Sequence, residues 1–100
     1  MKRKTIVIRD IFIHKFVYDN GDTLDIVIQE VEKSEEYPEG VRYKLVYVRD
    51  GKNVLRYDNY AKHGHHKHIK GKRLEYAFKD EWQLVPDFEK DLNELGIKLD

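Results

Sequence analysis

VRYKLVYVRDGKNVLRYD, residues 41–58, sets the reading of the chain. Val41, Tyr43, Leu45 and Tyr47 recur at every second position, the period of a strand with one buried face. Arg49-Asp50-Gly51-Lys52 follows, and an Asp-Gly pair between two apolar runs favours a tight hairpin because both residues tolerate positive φ. The strand returning from it, Asn53 to Asp58, runs directly into a segment holding four of the five histidines.

Upstream the pattern stays extended. Thr5–Ile8 is a short β-branched run, and Ile11–Tyr18 is rich in aromatic and β-branched residues. Asp19-Asn20-Gly21-Asp22 supplies a second hairpin turn, after which Leu24, Ile26 and Ile28 share a face of Thr23–Val31. A polar loop, Lys33–Gly40, joins this strand to Val41. Downstream the period changes. Val85, Phe88, Leu92 and Leu95 are spaced for a helix, with Asp80 as N-cap, Pro86 near the start after a short turn at Asp80–Leu84, and Gly96 as C-cap. The expected fold is α+β: a twisted antiparallel β-sheet of about five strands with a C-terminal α-helix packed on one face, residues 1–100 forming a single domain.

Composition narrows the chemistry. The 100 residues are 40% hydrophobic and 38% charged, enough for a modest core and no separate cofactor domain. Without Cys, disulfides, thiolate metal sites and cysteine catalysis are excluded. The charged start, MKRKTIVIRD, and the lack of a long apolar run predict a cytoplasmic protein with no membrane partner. Abundant Lys and Glu with no Cys point to a thermophilic source. The net charge of zero hides a split. Arg56, Lys62, Lys67, Lys70, Lys72 and Arg73 face Asp58 alone, whereas from Lys79 onward seven acids face three lysines. This split leads to the expectation that the acidic helix, Asp80–Leu95, or the sheet edge beside it, meets a protein partner or a second copy of the chain.

The functional centre is RYDNYAKHGHHKH, residues 56–68. One reading is cleavage of RNA. Imidazoles titrate near neutrality and serve as general acid or base, RNA carries its own nucleophile in the 2′-hydroxyl, and Arg or Lys stabilises the phosphoryl charge. Tyr57 or Tyr60 can stack on a base. A second reading is a His-based metal-binding protein, although H-x-H-H-x-H matches no well-defined zinc spacing and lysines crowd it. A third is a basic loop that binds nucleic acid without catalysis or simply carries charge. His66 and His68 form the best acid/base pair, because residues two apart on an extended segment point the same way. The segment His63–His68 is expected as a mobile arm closing on a phosphate over a rigid platform, Arg56–Asn59.

Arg56-Tyr57-Asp58-Asn59 followed by His65-His66-Lys67-His68 resembles the signature of TumE-type proteins, small toxins of toxin–antitoxin pairs. The order matches from about Val41 to Leu95, with a short insert at Tyr60–Gly64. The resemblance implies an antitoxin partner of helix-turn-helix type. Together these readings give a toxin acting on RNA, a metal-independent endoribonuclease, with a homodimer as a possible assembly. His65, His66, His68, Arg56, Tyr57 and Asp58 are the catalytic candidates. Lys62, His63, Lys67, Lys70, Lys72, Arg73 and Asn59 are the nucleic-acid-binding candidates. No cofactor and no metal ligand are assigned.

Overall fold

In the computed structural model of the chain, residues 4–60 and 64–99 are described. Six strands form one antiparallel sheet in chain order: β1 (Val7–Val17), β2 (Thr23–Val31), β3 (Val41–Arg49), β4 (Lys52–Asp58), β5 (His66–Ile69) and β6 (Lys72–Glu75). One helix, α1 (Leu84–Glu94), follows. The α+β class and the helix are as the sequence pattern predicts, but the sheet has six strands where about five are expected, with one strand fewer at its start and two more after β4. The two N-terminal runs form a single strand, because register irregularities between Val7 and Arg9 and between Asp10 and Phe12 absorb the polar pair that separates them. From His66 onward the histidine segment is not an arm. It is β5, paired with β4 and then with β6 through a turn in which Lys70 and Gly71 take φ of 50° and 82°. Four polar-rich residues show no apolar period, so pairing with neighbours, not local pattern, makes this segment a strand.

The core lies on one face. Leu24, Ile26 and Ile28 of β2, Tyr43, Leu45 and Tyr47 of β3, and Leu55 and Tyr57 of β4 are buried there with Leu84, Phe88 and Leu92 of α1. Alternation therefore puts Arg42, Lys44, Arg56, Asp58, His66 and His68 on the opposite face. The helix starts after Asp80 has accepted the amides of Trp82 and Gln83, each at 2.9 Å, so Asp80 closes the preceding turn and does not cap α1 itself. Pro86 sits within the first turn, where its missing N–H leaves no bond unmade. Gly96, with φ of 83°, ends the helix: its N–H donates to Asn93 O and that of Ile97 to Leu92 O, the paired bonds of a Schellman stop.

Polar struts fasten α1 to the sheet. The Tyr57 hydroxyl is 2.5 Å from Asp91 Oδ2 and 3.1 Å from the Asp87 carbonyl. Tyr76 donates to Asp87 Oδ2 at 2.7 Å, and Lys67 Nζ lies 2.8 Å from Asp91. The two central acids of the helix, Asp87 and Asp91, thus face inward and are engaged in internal pairs. Burial and the neighbouring Asp91 hold the Tyr57 hydroxyl protonated well above the usual phenol range. A similar knot ties the first hairpin to β3, where buried Asp22 accepts from Tyr47 Oη at 2.6 Å and Arg49 Nε at 3.0 Å.

Two outcomes follow. Tyr57→Phe keeps the ring but leaves Asp91 with one donor fewer, and should lower unfolding free energy in urea by about 1–3 kcal/mol. The carboxyl of Asp22 is held below its ordinary 3.8 by the Arg49 and Tyr47 bonds. That of Asp87 is also lowered: burial opposes ionisation, but the bonds from Tyr76, Gln83 and Lys79 outweigh it. Depressed carboxyl pKa values stabilise the fold above 3.8 and lose that contribution as pH falls through the folded-state values. Thermal melts should therefore show an acid loss below about pH 4 that becomes smaller in Asp22→Asn.

Candidate functional site

β4 ends by placing Arg56 and Asp58 on the face away from the helix, and β5 sets His68 and His66 opposite them in register. Asp58 is buried, and its two oxygens serve different partners. Oδ2 accepts from Arg56 Nε at 2.5 Å, and Oδ1 faces His66 Nε2 at 2.9 Å. The other nitrogen of His66, Nδ1, lies 3.1 Å from the Gly64 carbonyl. Both ring nitrogens thus face hydrogen-bond acceptors. Arg56 keeps its Nη groups beyond the Asp58 contact, and a third of its side chain is exposed.

His68 completes the cluster. Its ring centroid is 5.2 Å from that of His66, edge to face. Among the described residues its side chain makes no hydrogen bond. Burial, then the charges of His66, Arg56 and Arg73, push its pKa below 6.5 against the pull of Asp58. One imidazole is thereby kept neutral beside one that is held between two acceptors.

The remaining sequence candidates separate by strand phase. Tyr57, adjacent to Arg56 in sequence, points to the helix face and is buried there, so it is not beside the cluster. Lys67 shares that face, pairs with Asp91 and lies over the Tyr57 ring at 5.8 Å. His65 turns the other way from His66. Its Nδ1 meets Tyr43 Oη at 2.8 Å, its Nε2 meets Glu39 at 3.0 Å, and its ring stacks on Phe78 at 4.4 Å. The cleft beside His65, about 280 Å³, is lined by Glu35, Glu36 and Glu39 and repels a phosphate. Asn59 is buried and clips β4 to β3, accepting from Tyr43 N at 2.9 Å and donating to Val41 O at 2.8 Å. His65, Tyr57 and Asn59 are therefore parts of the scaffold. Lys70, Lys72 and Arg73 are exposed on the β5–β6 hairpin, with Arg73 opposite His68. Lys62 and His63 lie outside the described residues.

Two basic residues escaped the sequence reading. Lys44 opposes Asp58 in register, and Arg42 lies 5.4 Å over the Tyr60 ring while donating to Gln29 Oε1 at 2.8 and 3.2 Å. The signal was present: they occupy the polar phase of the strand whose apolar phase fixed the fold. Among the described residues no three His, Asp or Glu side chains are grouped as a metal site. No described helix is long and apolar enough to cross a membrane.

A six-stranded antiparallel meander with one covering helix and an Arg–Asp–His–His cluster on its other face defines a small two-layer protein with a compact polar site. The chain belongs to the toxin TumE family, whose model matches residues 3–95. It is thus a toxin of the toxin–antitoxin kind, and membership implies an antitoxin partner. No curated protein and no solved structure matches it.

Asp58→Asn keeps the shape but removes the charge that joins Arg56 to His66. It should cost about 2–3 kcal/mol in a denaturant melt, less than a fully buried pair because Arg56 reaches solvent.

Proposed function

We propose that the toxin acts on RNA as a metal-independent endoribonuclease. The observation that carries this reading is the pair of β5 imidazoles on one face, 5.2 Å apart between centroids, set against Arg56 and Asp58. His68 is the general base: kept neutral, it takes the proton of a 2′-hydroxyl, and the oxygen attacks the adjacent phosphorus. His66 is the general acid. In the imidazolium form it returns a proton to the departing 5′-oxygen, so the products are a 2′,3′-cyclic phosphate and a free 5′-hydroxyl. Asp58 positions both His66 and Arg56, and is not itself a proton carrier. The free Nη groups of Arg56, with Arg73 and Lys44 nearby, meet the charge that builds on the non-bridging oxygens. Lys70 and Lys72 on the adjoining hairpin add affinity for the backbone, which makes binding salt-sensitive.

A cavity of about 470 Å³ between β4–β6 and α1 is not the reaction site in this reading, because Tyr57, Lys67, Tyr76, Asp87 and Asp91 in its lining are engaged in internal pairs. The alternatives of a non-catalytic nucleic-acid-binding module or a histidine metal protein are separated from this one by turnover and by chelation.

Purified toxin incubated with structured and single-stranded RNA in EDTA should cleave it. His68→Gln should lower the rate by roughly 10²–10⁴. His65→Ala should retain most of the rate if the mutant remains folded. The acid limb of the rate profile should fall below 6.5, since activity needs neutral His68. Cleavage that requires added metal, or salt-sensitive binding with no product, would overturn the mechanism.

A further inference from the structure

β1 forms one edge of the sheet among the described residues and takes no part in the histidine cluster. Its large apolar side chains stay exposed: Ile8 54%, Phe12 43%, Ile13 52%, Phe16 45% and Val17 67%. The rings of Phe12, His14 and Phe16 stack in a row, with centroids 6.0 and 6.1 Å apart and planes within 4°. The charges of β1 turn back onto β2. Arg9 pairs with Glu30 at 2.7 Å, Asp10 accepts from Gln29 at 2.9 Å, and Lys15 lies 4.0 Å from Asp25. What remains exposed on β1 is largely apolar, with the Lys15 side chain still mostly in solvent.

The backbone has the same outward character. Tyr18 N–H donates to Asp22 O at 2.8 Å, which fixes the phase of the β1–β2 ladder. By alternation the peptide groups of Phe12, His14 and Phe16 bond to β2, and those of Ile13, Lys15 and Val17 point away from the sheet. A long edge of this kind is a template for another strand.

We infer that β1 is the interface of a homodimer, two copies pairing this strand antiparallel about a two-fold axis at His14. A second copy is the occupant that the surface fits. An antiparallel edge is complementary to itself, so each copy supplies the donors and acceptors the other lacks. The chain carries no net charge, so two copies do not repel, and a neutral apolar edge offers nothing to select a charged partner. The five exposed side chains, spread over the two faces of β1, offer roughly 400–500 Å² of apolar surface per copy, of which pairing buries a part, against the ~800 Å² a standard interface buries per partner, backbone and flanking stems included.

The register follows from the same features. An axis at Lys15 would set two ammonium groups face to face, and an axis at Ile13 would draw the bulged stretch near Ile11 into the ladder. An axis at His14 uses the regular run Phe12–Val17, pairs the outward amides of Ile13 with those of the partner's Lys15, and sets Phe12 against the partner's Phe16.

Sedimentation velocity on the full chain, over two decades of concentration up to hundreds of micromolar, tests the dimer. The wild type should shift from monomer to dimer. Phe12→Asp/Phe16→Asp should stay monomeric with an unchanged circular dichroism spectrum. Lys15→Pro, which removes an outward N–H and leaves the inward ladder intact, should weaken the dimer in the same way. His14→Cys should give a disulfide-linked dimer under mild oxidation, because opposed non-hydrogen-bonded pairs suit that bond and the chain has no other Cys. Asn93→Cys on α1 should not. A wild type that is monomeric throughout overturns the inference, even if an antitoxin then binds through β1. So does a dimer that persists in the double aspartate variant.

Discussion

The two-residue period of β4 is the constraint on which the rest depends. Leu55 and Tyr57 must face the helix if the core is to close, and this forces Arg56 and Asp58 to the opposite face. A slip of one residue would bury a guanidinium and a carboxylate under α1 and expose the aromatic core. The same arrangement fixes β5, since it carries the strand phase across in register. His66 and His68 then share a face with Arg56 and Asp58, while Lys67 turns toward Asp91. Core-facing and outward-facing residues are interleaved one by one along RYD and HKH, and packing decides which is which.

Asp58 turns that alternation into a site. Its buried carboxylate, shared between Arg56 and His66, ties the two adjacent strands together and fixes where each side chain points. His68, which stands beside this charge-balanced group, experiences burial and nearby positive charge and is therefore held neutral. The different settings of the two imidazoles come from position alone, since the residues are chemically identical. On the other face the same logic acts in reverse. Asp87 and Asp91 of the acidic helix serve as acceptors for Tyr57, Tyr76, Lys67 and Lys79.

The ends of the sheet differ for a related reason. α1 covers the region around β4, while β1, at one edge, is left with aromatic and aliphatic side chains exposed. β6, at the other edge, is four residues long and bears Lys72 and Arg73 beside the histidine face. One edge is thus suited to protein contact and the other to an anion, a division that the neutral overall charge conceals.

The sequence by itself determined the local elements, because period-two runs, Asp-Gly and Asn-Gly turns, a helical stripe and a terminal Gly each act over a few residues. It also located the polar centre, since Arg56, Asp58, His66 and His68 are close in sequence and distinctive in type. Tertiary structure alone decided the rest. Whether His65 joins His66 or Tyr43, whether Tyr57 faces a phosphate or a helix, and whether His66–Ile69 is an arm or a strand depend on pairing with β3, β4 and β6. Lys44 and Arg42 reach the same face through β3, distant in the chain but adjacent in register. Short polar strands have no pattern of their own to read. Their conformation is set by the neighbours that accept their hydrogen bonds, and those neighbours exist only once the sheet has formed.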